Sequence, residues 1–370
     1  MQKNDKLKRI LYISPDFNHS CGVSKHVFIN LKYLSSNSDQ VLFFITNKGD
    51  SLERLKSIAR LNFSRMNFEK DHKNIFKLIF DFFKLYLFCI KYKIDIIHTH
   101  HRYPELLSIL VSKFSRIKTI TTLHSFVNGL NTISFRSNKI IAVSKAIEEH
   151  LYKNYPHTNG NCITCYNCID DTFVEDEHSN HVQFKKNLGY DSDDKLLLFV
   201  GRINKIKGID ILIKAYRVVK LTYPQVKLIL IGNILDNTFK EMNVKLDEDI
   251  FQLAAREDIS LFFELCDIVI LPSREDPFPY VMLEAGYFNK PFIGSRTGGI
   301  AEFINDGTNG FLHDEHNFES LCERMRELES MDDEALGAIG KAALSTVAEG
   351  YDWDDIIDET ESCYEAALGR

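Results

Sequence analysis

Arg202 and Lys207 stand five residues apart in Gly201-Arg202-Ile203-Asn204-Lys205-Ile206-Lys207-Gly208, where an apolar run ends at a glycine and a helical pattern begins after Gly208. Two cations beside a helix start suit a diphosphate, because their donors and the unpaired backbone N–H groups all favour anionic oxygens. Each charge-assisted hydrogen bond there contributes roughly 1.5–3 kcal/mol. A solvated basic turn has the same composition, so the stretch is informative only in company. Its company is Pro272-Ser273-Arg274-Glu275-Asp276-Pro277-Phe278-Pro279-Tyr280-Val281-Met282-Leu283-Glu284-Ala285, a loop that enters a helix near Tyr280. The first amides of that helix, at Tyr280 and Val281, would face a phosphate. Glu284, one turn inside and beside small Ala285 and Gly286, could hold vicinal ribose hydroxyls. Acids near a helix start also serve simply as caps or dipole partners. Thr297-Gly298-Gly299-Ile300-Ala301-Glu302 adds paired glycines that permit close backbone approach to a ligand.

These groups need a scaffold, and the chain alternates short β-branched runs with helical stretches. In the first half, 8–14, 40–46, 95–100, 117–124 and 139–144 read as strands, and 23–36 and 74–93 as helices. Such alternation predicts βαβ units and a parallel sheet. The pattern breaks over 171–194, a polar acidic stretch that reads as a linker, and then restarts with strands at 195–201, 226–232, 266–273 and 290–295. The expected fold is therefore α/β, two Rossmann-like doubly wound domains facing across an interdomain cleft, with ligands at the strand C-terminal ends. The expected domains are 1–175, 190–350, and a terminal helix 351–370 that carries the single tryptophan, Trp353, and packs back on the first domain.

The chain has 370 residues, 44% of them apolar, enough for a large core without disulfides or metals. The eight cysteines are expected as reduced thiols: no secretory signal is legible and a cytoplasmic location is expected. No run of about 18–20 uncharged apolar residues predicts a membrane span. The net charge of −7 divides unevenly. Residues 1–170 carry 25 Lys and Arg against 13 Asp and Glu, whereas residues 171–370 carry 20 against 39. A basic half and an acidic half suit different partners.

In order and spacing, these motifs resemble glycosyltransferase family 4, the retaining family of GT-B fold. Cys21-Gly22-Val23-Ser24-Lys25-His26-Val27 is similar to its glycine-rich first loop, Asp95-Ile96-Ile97-His98-Thr99-His100 to its strand ending in a histidine pair, and Thr122-Leu123-His124 to the segment with its active-site histidine. Ile141-Ala142-Val143-Ser144-Lys145 and Tyr166-Asn167-Cys168-Ile169-Asp170 resemble the last landmarks of its N-terminal domain. The resemblance implies that Arg202 and Lys207 hold a donor diphosphate, Glu284 the ribose, Gly22 a phosphate through its backbone, and His124 the donor sugar near the reacting carbon. It implies an acid on the transferred sugar, Asp276 or its neighbour Glu275. Three departures stand out: Asp276 where the family has glutamate, Cys21 where it has the first glycine of a pair, and Pro279 where it has a glycine N–H. The implied activity is metal-independent hexosyl transfer with no cofactor, from a nucleotide-sugar, UDP-sugar by preference, to a glycan or lipid-linked acceptor in cell-surface polysaccharide synthesis. No nucleic-acid partner is expected. A sugar-nucleotide 2-epimerase or an inactive sugar-nucleotide-binding scaffold remain alternatives.

Other signals weigh less. Cys162-x-x-Cys165-x-x-Cys168 has a metal-like spacing, but on a strand steps of three alternate faces, so no metal site is expected. Asp191-x-Asp193 and Asp247-x-Asp249 follow no apolar strand and read as solvated acids. The helix 74–93 confines Lys77, Asp81, Lys84 and Lys91 to one stripe and is otherwise apolar. Such a helix is expected to pack in the core, the alternative being peripheral contact with an anionic membrane.

Overall fold

The computed structural model describes residues 7–36, 39–68, 75–169, 185–186, 189–191, 193–234, 246 and 249–369. The segment 171–194 lies largely outside the described residues, as do Asp170 and Asp247. The chain divides into two compact units, residues 1–167 with 353–370, and residues 168–352.

The first unit is built on seven strands: β1 (Lys8–Ile13), β2 (Gln40–Thr46), β3 (Leu61–Arg65), β4 (Ile96–Thr99), β5 (Lys118–Leu123), β6 (Lys139–Ala142) and β7 (Cys162–Thr164). They form one sheet in the order β3-β2-β1-β4-β5-β6-β7, and every pairing is parallel. Its helices are α1 (Gly22–Leu34), α2 (Ile75–Tyr92), α3 (Arg102–Lys113) and α4 (Lys145–Asn154). In the second unit, β8 (Lys195–Val200), β9 (Val226–Ile231), β10 (Ile250–Leu253), β11 (Ile268–Leu271), β12 (Phe292–Ser295) and β13 (Phe311–His313) pair in parallel as β10-β9-β8-β11-β12-β13. Its helices are α5 (Ile209–Lys220), α6 (Ser260–Leu265), α7 (Tyr280–Tyr287), α8 (Gly298–Phe303), α9 (Phe318–Glu329) and α10 (Asp333–Gly350). Consecutive residues of the central strands, Ile10 to Ile13 and Leu196 to Phe199, are at most 1% exposed. Burial on both faces is what helices on both sides of a parallel sheet impose, and it explains the unbroken apolar runs.

Several elements depart from the sequence expectations: β3, β10 and β13 are not among the strands read from the sequence, and α2 differs in part. β3 went unread because it is an edge strand: LNFSR buries no residue fully and has no apolar run. The α2 helix has the expected length and packs one face in the core as expected, Leu85, Phe88 and Cys89 lying in the hydrophobic cluster with Leu78, Phe82, Tyr86 and Tyr92 against it, but a second apolar face is exposed. Of the polar stripe only Asp81 is buried: it is 2% exposed, ion-paired to Lys77 and accepts a hydrogen bond from Tyr103 Oη at 2.8 Å, while Lys77 and Lys84 are half-buried and Lys91 is exposed. The second apolar face points outward, with Ile75, Phe76, Ile79, Phe80, Phe83, Leu87 and Ile90 each 48–80% exposed. Only Leu85, Phe88 and Cys89 of its apolar residues are buried.

The terminal helix α11 (Trp353–Leu368) belongs to the first unit. Trp353 stacks on Tyr33 of α1 at 3.7 Å between ring centroids, and Tyr364 Oη bonds to His98 Nδ1 at 2.8 Å and to Tyr12 Oη. All eight cysteines are free thiols. The strand expected through the three spaced cysteines ends at Thr164, leaving Cys165 and Cys168 beyond it, and Cys165 Sγ donates to Ile356 O of α11, so this thiol helps pack the terminal helix. Asp191 and Asp193 are exposed, whereas Asp249 is ion-paired to Lys220 and not merely solvated. In α3, Glu105 is 1% exposed and accepts from Phe135 N at 3.0 Å and Ser137 Oγ at 3.3 Å. Burial pushes its carboxyl up to about 7.

Candidate functional site

Each sheet reverses its strand order once, between β1 and β4 in the first and between β8 and β11 in the second. Loops leaving the C-terminal ends of such a strand pair diverge to opposite faces of the sheet and open a crevice, the usual ligand position in doubly wound sheets. Most of the residues singled out from the sequence lie in these loops, while His124 follows the neighbouring β5 and the paired glycines Gly298 and Gly299 follow β12.

In the second unit, the loop after β8 carries Arg202 and Lys207, and the loop after β11 carries Ser273 to Pro279. Gly208 closes the first loop in the left-handed region at φ +74°, and a Cβ there would stand 1.9 Å from Pro272 O. The two loops therefore touch backbone to backbone at a point where only glycine fits. Arg274 fastens them further. Its guanidinium donates twice to Asp210 at 2.7 and 2.8 Å and once to Lys205 O, while its own N–H donates to Ile206 O at 2.7 Å. Burial pulls the Asp210 carboxyl up, but Arg274 outweighs it and holds the group below its usual range.

Across this seam, Lys207 Nζ meets Asp276 Oδ2 at 2.5 Å, and Ser273 Oγ donates to the same oxygen at 3.2 Å. Asp276 is 3% exposed, whereas Glu275 is exposed. Arg202 is exposed and has no hydrogen-bond or ion-pair partner among the described residues. The structure thus joins Lys207 to Asp276 and leaves Glu275 outside that contact. Pro279 caps α7 without a side-chain bond, Tyr280 and Val281 form its first turn, and Glu284 is 3% exposed within it. Gly299 N donates to Asp276 O at 3.1 Å, so the paired glycines of α8 brace the acid's backbone.

In the first unit, Gly22 begins α1 behind Cys21, whose side chain makes no capping bond. One turn on, His26 meets His100 beyond β4 and His124 beyond β5. His100 Nδ1 lies 3.0 Å from His124 Nε2, and His26 Nδ1 lies 3.1 Å from Asn167 Oδ1. The His26 ring stands edge-on to both others, with centroids 5.6 Å from His100 and 4.7 Å from His124. Tyr12 and His98 stack on His100, and His98 is itself fixed by Tyr364 and by Thr122 Oγ1 at 2.7 Å. Burial pulls His26 down to about 4, and burial with the neighbouring imidazoles pulls His98, His100 and His124 well below the usual range, so the cluster is neutral at pH 7. His124 was expected; His26 and His100 were quoted only as parts of motifs. The period-two spacing of His98 and His100 puts both on one face of the strand, but their meeting with an α1 residue is a tertiary fact.

Two parallel sheets with a switch point each, one bearing a cationic turn locked to a buried acid, define an α/β protein of two doubly wound units. Comparison with known proteins makes this specific. Residues 21–173 match the family model described as Glycosyltransferase Family 4, and residues 182–345 match Glycosyl transferases group 1. The chain belongs to glycosyltransferase family 4 and is a transferase enzyme of GT-B type. The N-acetyl-alpha-D-glucosaminyl L-malate synthase of Bacillus anthracis is 26% identical over 290 residues, 73% of this chain and 74% of that protein. A crystal structure of a glycosyltransferase from Rickettsia africae ESF-5 superposes with a TM-score of 0.83 at 22% identity, covering 98% of both chains. Anabaena HepE, solved in complex with UDP and glucose, superposes at 0.80 with 19% identity over 97% of this chain and 100% of its own. No helix among the described residues is long and apolar enough to cross a membrane.

Proposed function

We propose that this glycosyltransferase moves a hexose from a UDP-sugar to a glycan or lipid-linked acceptor in cell-surface polysaccharide synthesis, with retention and without a metal or cofactor. The observation that carries the reading is the locked pair of loops at the β8/β11 switch point, with Lys207 against Asp276 and Arg202 exposed in the same loop as Lys207. Breaking the sugar–phosphate bond builds negative charge on the departing diphosphate. Arg202, Lys207 and the α7 amides at Tyr280 and Val281 stabilise that charge without reorganising. Glu284 holds the ribose, and Asp276 rather than Glu275 meets hydroxyls of the transferred sugar. Gly22 and His124 keep the roles that the family resemblance gives them, on a phosphate and on the sugar near its reacting carbon. A donor phosphate oxygen takes the acceptor's proton on the same face, so no protein nucleophile is assigned. The relative that makes a glucosaminyl malate and the UDP- and glucose-bound neighbour support a nucleotide-sugar donor.

The outward apolar face of α2 supports a membrane-borne acceptor at the cytoplasmic face. Phe114, 70% exposed, extends the patch beside Phe82, and the basic Lys93 and Arg116 line one surface hollow with Ile90. Each large side chain moved from water into hydrocarbon contributes roughly 1.5–3 kcal/mol, and each base near an anionic surface about 1.

A thermal-shift screen against UDP-, GDP- and ADP-sugars tests the donor, with Arg202→Ala and Lys207→Ala as controls. UDP-sugar is expected to stabilise the wild type, and both variants to lose transfer while keeping their fold. Near-normal turnover in either variant rejects the phosphate clamp. Donor incubated without acceptor should keep its identity; an epimer of unchanged mass would instead establish a 2-epimerase.

A further inference from the structure

We propose that His26, His100 and His124 form a binding site for a single divalent transition metal of the zinc class, and that its occupancy silences the enzyme. One ring nitrogen from each of the three histidines lies within 4.8 Å of the others, the only such grouping of metal-binding side chains among the described residues. Three further features favour a ligand set over a mere packing cluster.

The first is orientation. Asn167 Oδ1 can only accept, so His26 Nδ1 carries the proton and donates to it at 3.1 Å. His26 Nε2 is then a lone pair, fixed in direction by an outer carbonyl as in known metal-binding histidines. The second is incomplete hydrogen bonding. His100 and His124 share a single proton across 3.0 Å, and His100 Nε2 is buried with no partner. Hydrogen bonds therefore do not close the cluster. The third is rigidity. Tyr12 and His98 clamp the His100 ring at centroid distances of 5.5 and 4.6 Å, so little ordering remains to be done on binding.

The donor set decides the ion. Three imidazoles without a carboxylate suit Zn²⁺, Co²⁺, Ni²⁺ or Cu²⁺, whereas Mg²⁺ and Ca²⁺ require oxygens. Three protein ligands leave one tetrahedral position open, and of the three histidines His124 is the half-buried one. Tetrahedral bonds of about 2.0–2.1 Å place ligand nitrogens about 3.4 Å apart, so the three rings, now within 4.8 Å of one another, draw together on binding. The consequence for activity rests on the proposed contact of His124 with the donor sugar. A bound ion takes the His124 lone pair, so micromolar-class Zn²⁺ should inhibit transfer while Mg²⁺ leaves it unchanged.

The test uses Co²⁺ alone, added to the full chain after chelation and dialysis. One equivalent should bind and give the visible ligand-field absorption of a four-coordinate site. His26→Ala should abolish the band, and Asn167→Ala, which keeps all three ligands, should weaken binding by about 10–100-fold. Asn167→Ala carries the test if His26→Ala does not fold. Absence of the band, or a band indifferent to both substitutions, overturns the site. UDP-sugar thermal shifts on the same samples keep the two readings apart. Donor binding without a Co²⁺ band rejects only the metal site; a band without donor binding upholds the site and rejects the donor assignment.

Discussion

Gly208→Ala tests whether the seam between the β8 and β11 loops is what makes the second unit a donor site. At φ +74° a Cβ costs about 1–2 kcal/mol, and this one would stand 1.9 Å from Pro272 O. Ordinary contact begins near 3.4 Å, so the two backbones must part by about 1.5 Å. Lys207 immediately precedes Gly208 and pairs with Asp276 four residues beyond Pro272, so the displacement falls on both proposed donor contacts. A misplacement of about 1 Å costs on the order of 100-fold in rate. Steady-state transfer should therefore lose at least about 100-fold in kcat/KM, with a lower melting temperature and a weaker thermal shift from donor. Gly337→Ala is the matched control. It lies inside α10 with nothing within 4 Å of its would-be Cβ. It should gain about 0.5–1 kcal/mol of stability and keep its turnover. A Gly208→Ala enzyme with unaltered donor affinity and rate would show that the seam does not position the chemistry.

Asp276→Asn should lower kcat/KM by roughly 10–100-fold, the worth of a charged hydrogen bond, while Glu275→Gln should stay within about threefold; the reverse ranking in steady-state assays rejects the assignment of the buried acid. Phe80→Glu with Phe83→Glu should cut sedimentation with vesicles of phosphatidylglycerol and phosphatidylcholine by at least about 100-fold, and a wild type that stays in the supernatant removes the membrane reading. Glu105 has a folded-state value raised from 4.5 to about 7, so its contribution to stability is fully present below pH 4.5 and is lost as pH rises through 7. Across that window the loss is of order 3 kcal/mol, and Glu105→Gln should flatten the corresponding slope of melting temperature against pH; an unchanged slope refutes it.

The sheets were legible because buried parallel strands are short apolar runs, as at 8–14 and 195–201, and because turn residues punctuate them. β3 was not, since its half-exposed edge position needs no such run. In α2 the stripe and the packing in the core were legible from sequence, but the exposed second apolar face was not, nor was the burial of Asp81, which depends on Tyr103, a residue 22 positions away. The cations and acids of the second unit were legible as types at spacings. Which acid faces Lys207 was not, because Glu275 and Asp276 differ only in the loop's path. Arg274 with Asp210, and His26 with His100 and His124, were missed as partnerships because each joins segments distant in sequence, and composition carries no record of that.

The chain leaves the first unit at Asn167 and rejoins it at Trp353. During synthesis, the seven-stranded sheet thus emerges long before the helix that supplies Tyr364 to His98 and Trp353 to Tyr33. The intervening unit has its whole sequence available first and can settle on the ribosome while its elder neighbour is still unfinished. A nascent chain stalled at Asp352 would hold one mature unit and one still waiting for its closing helix.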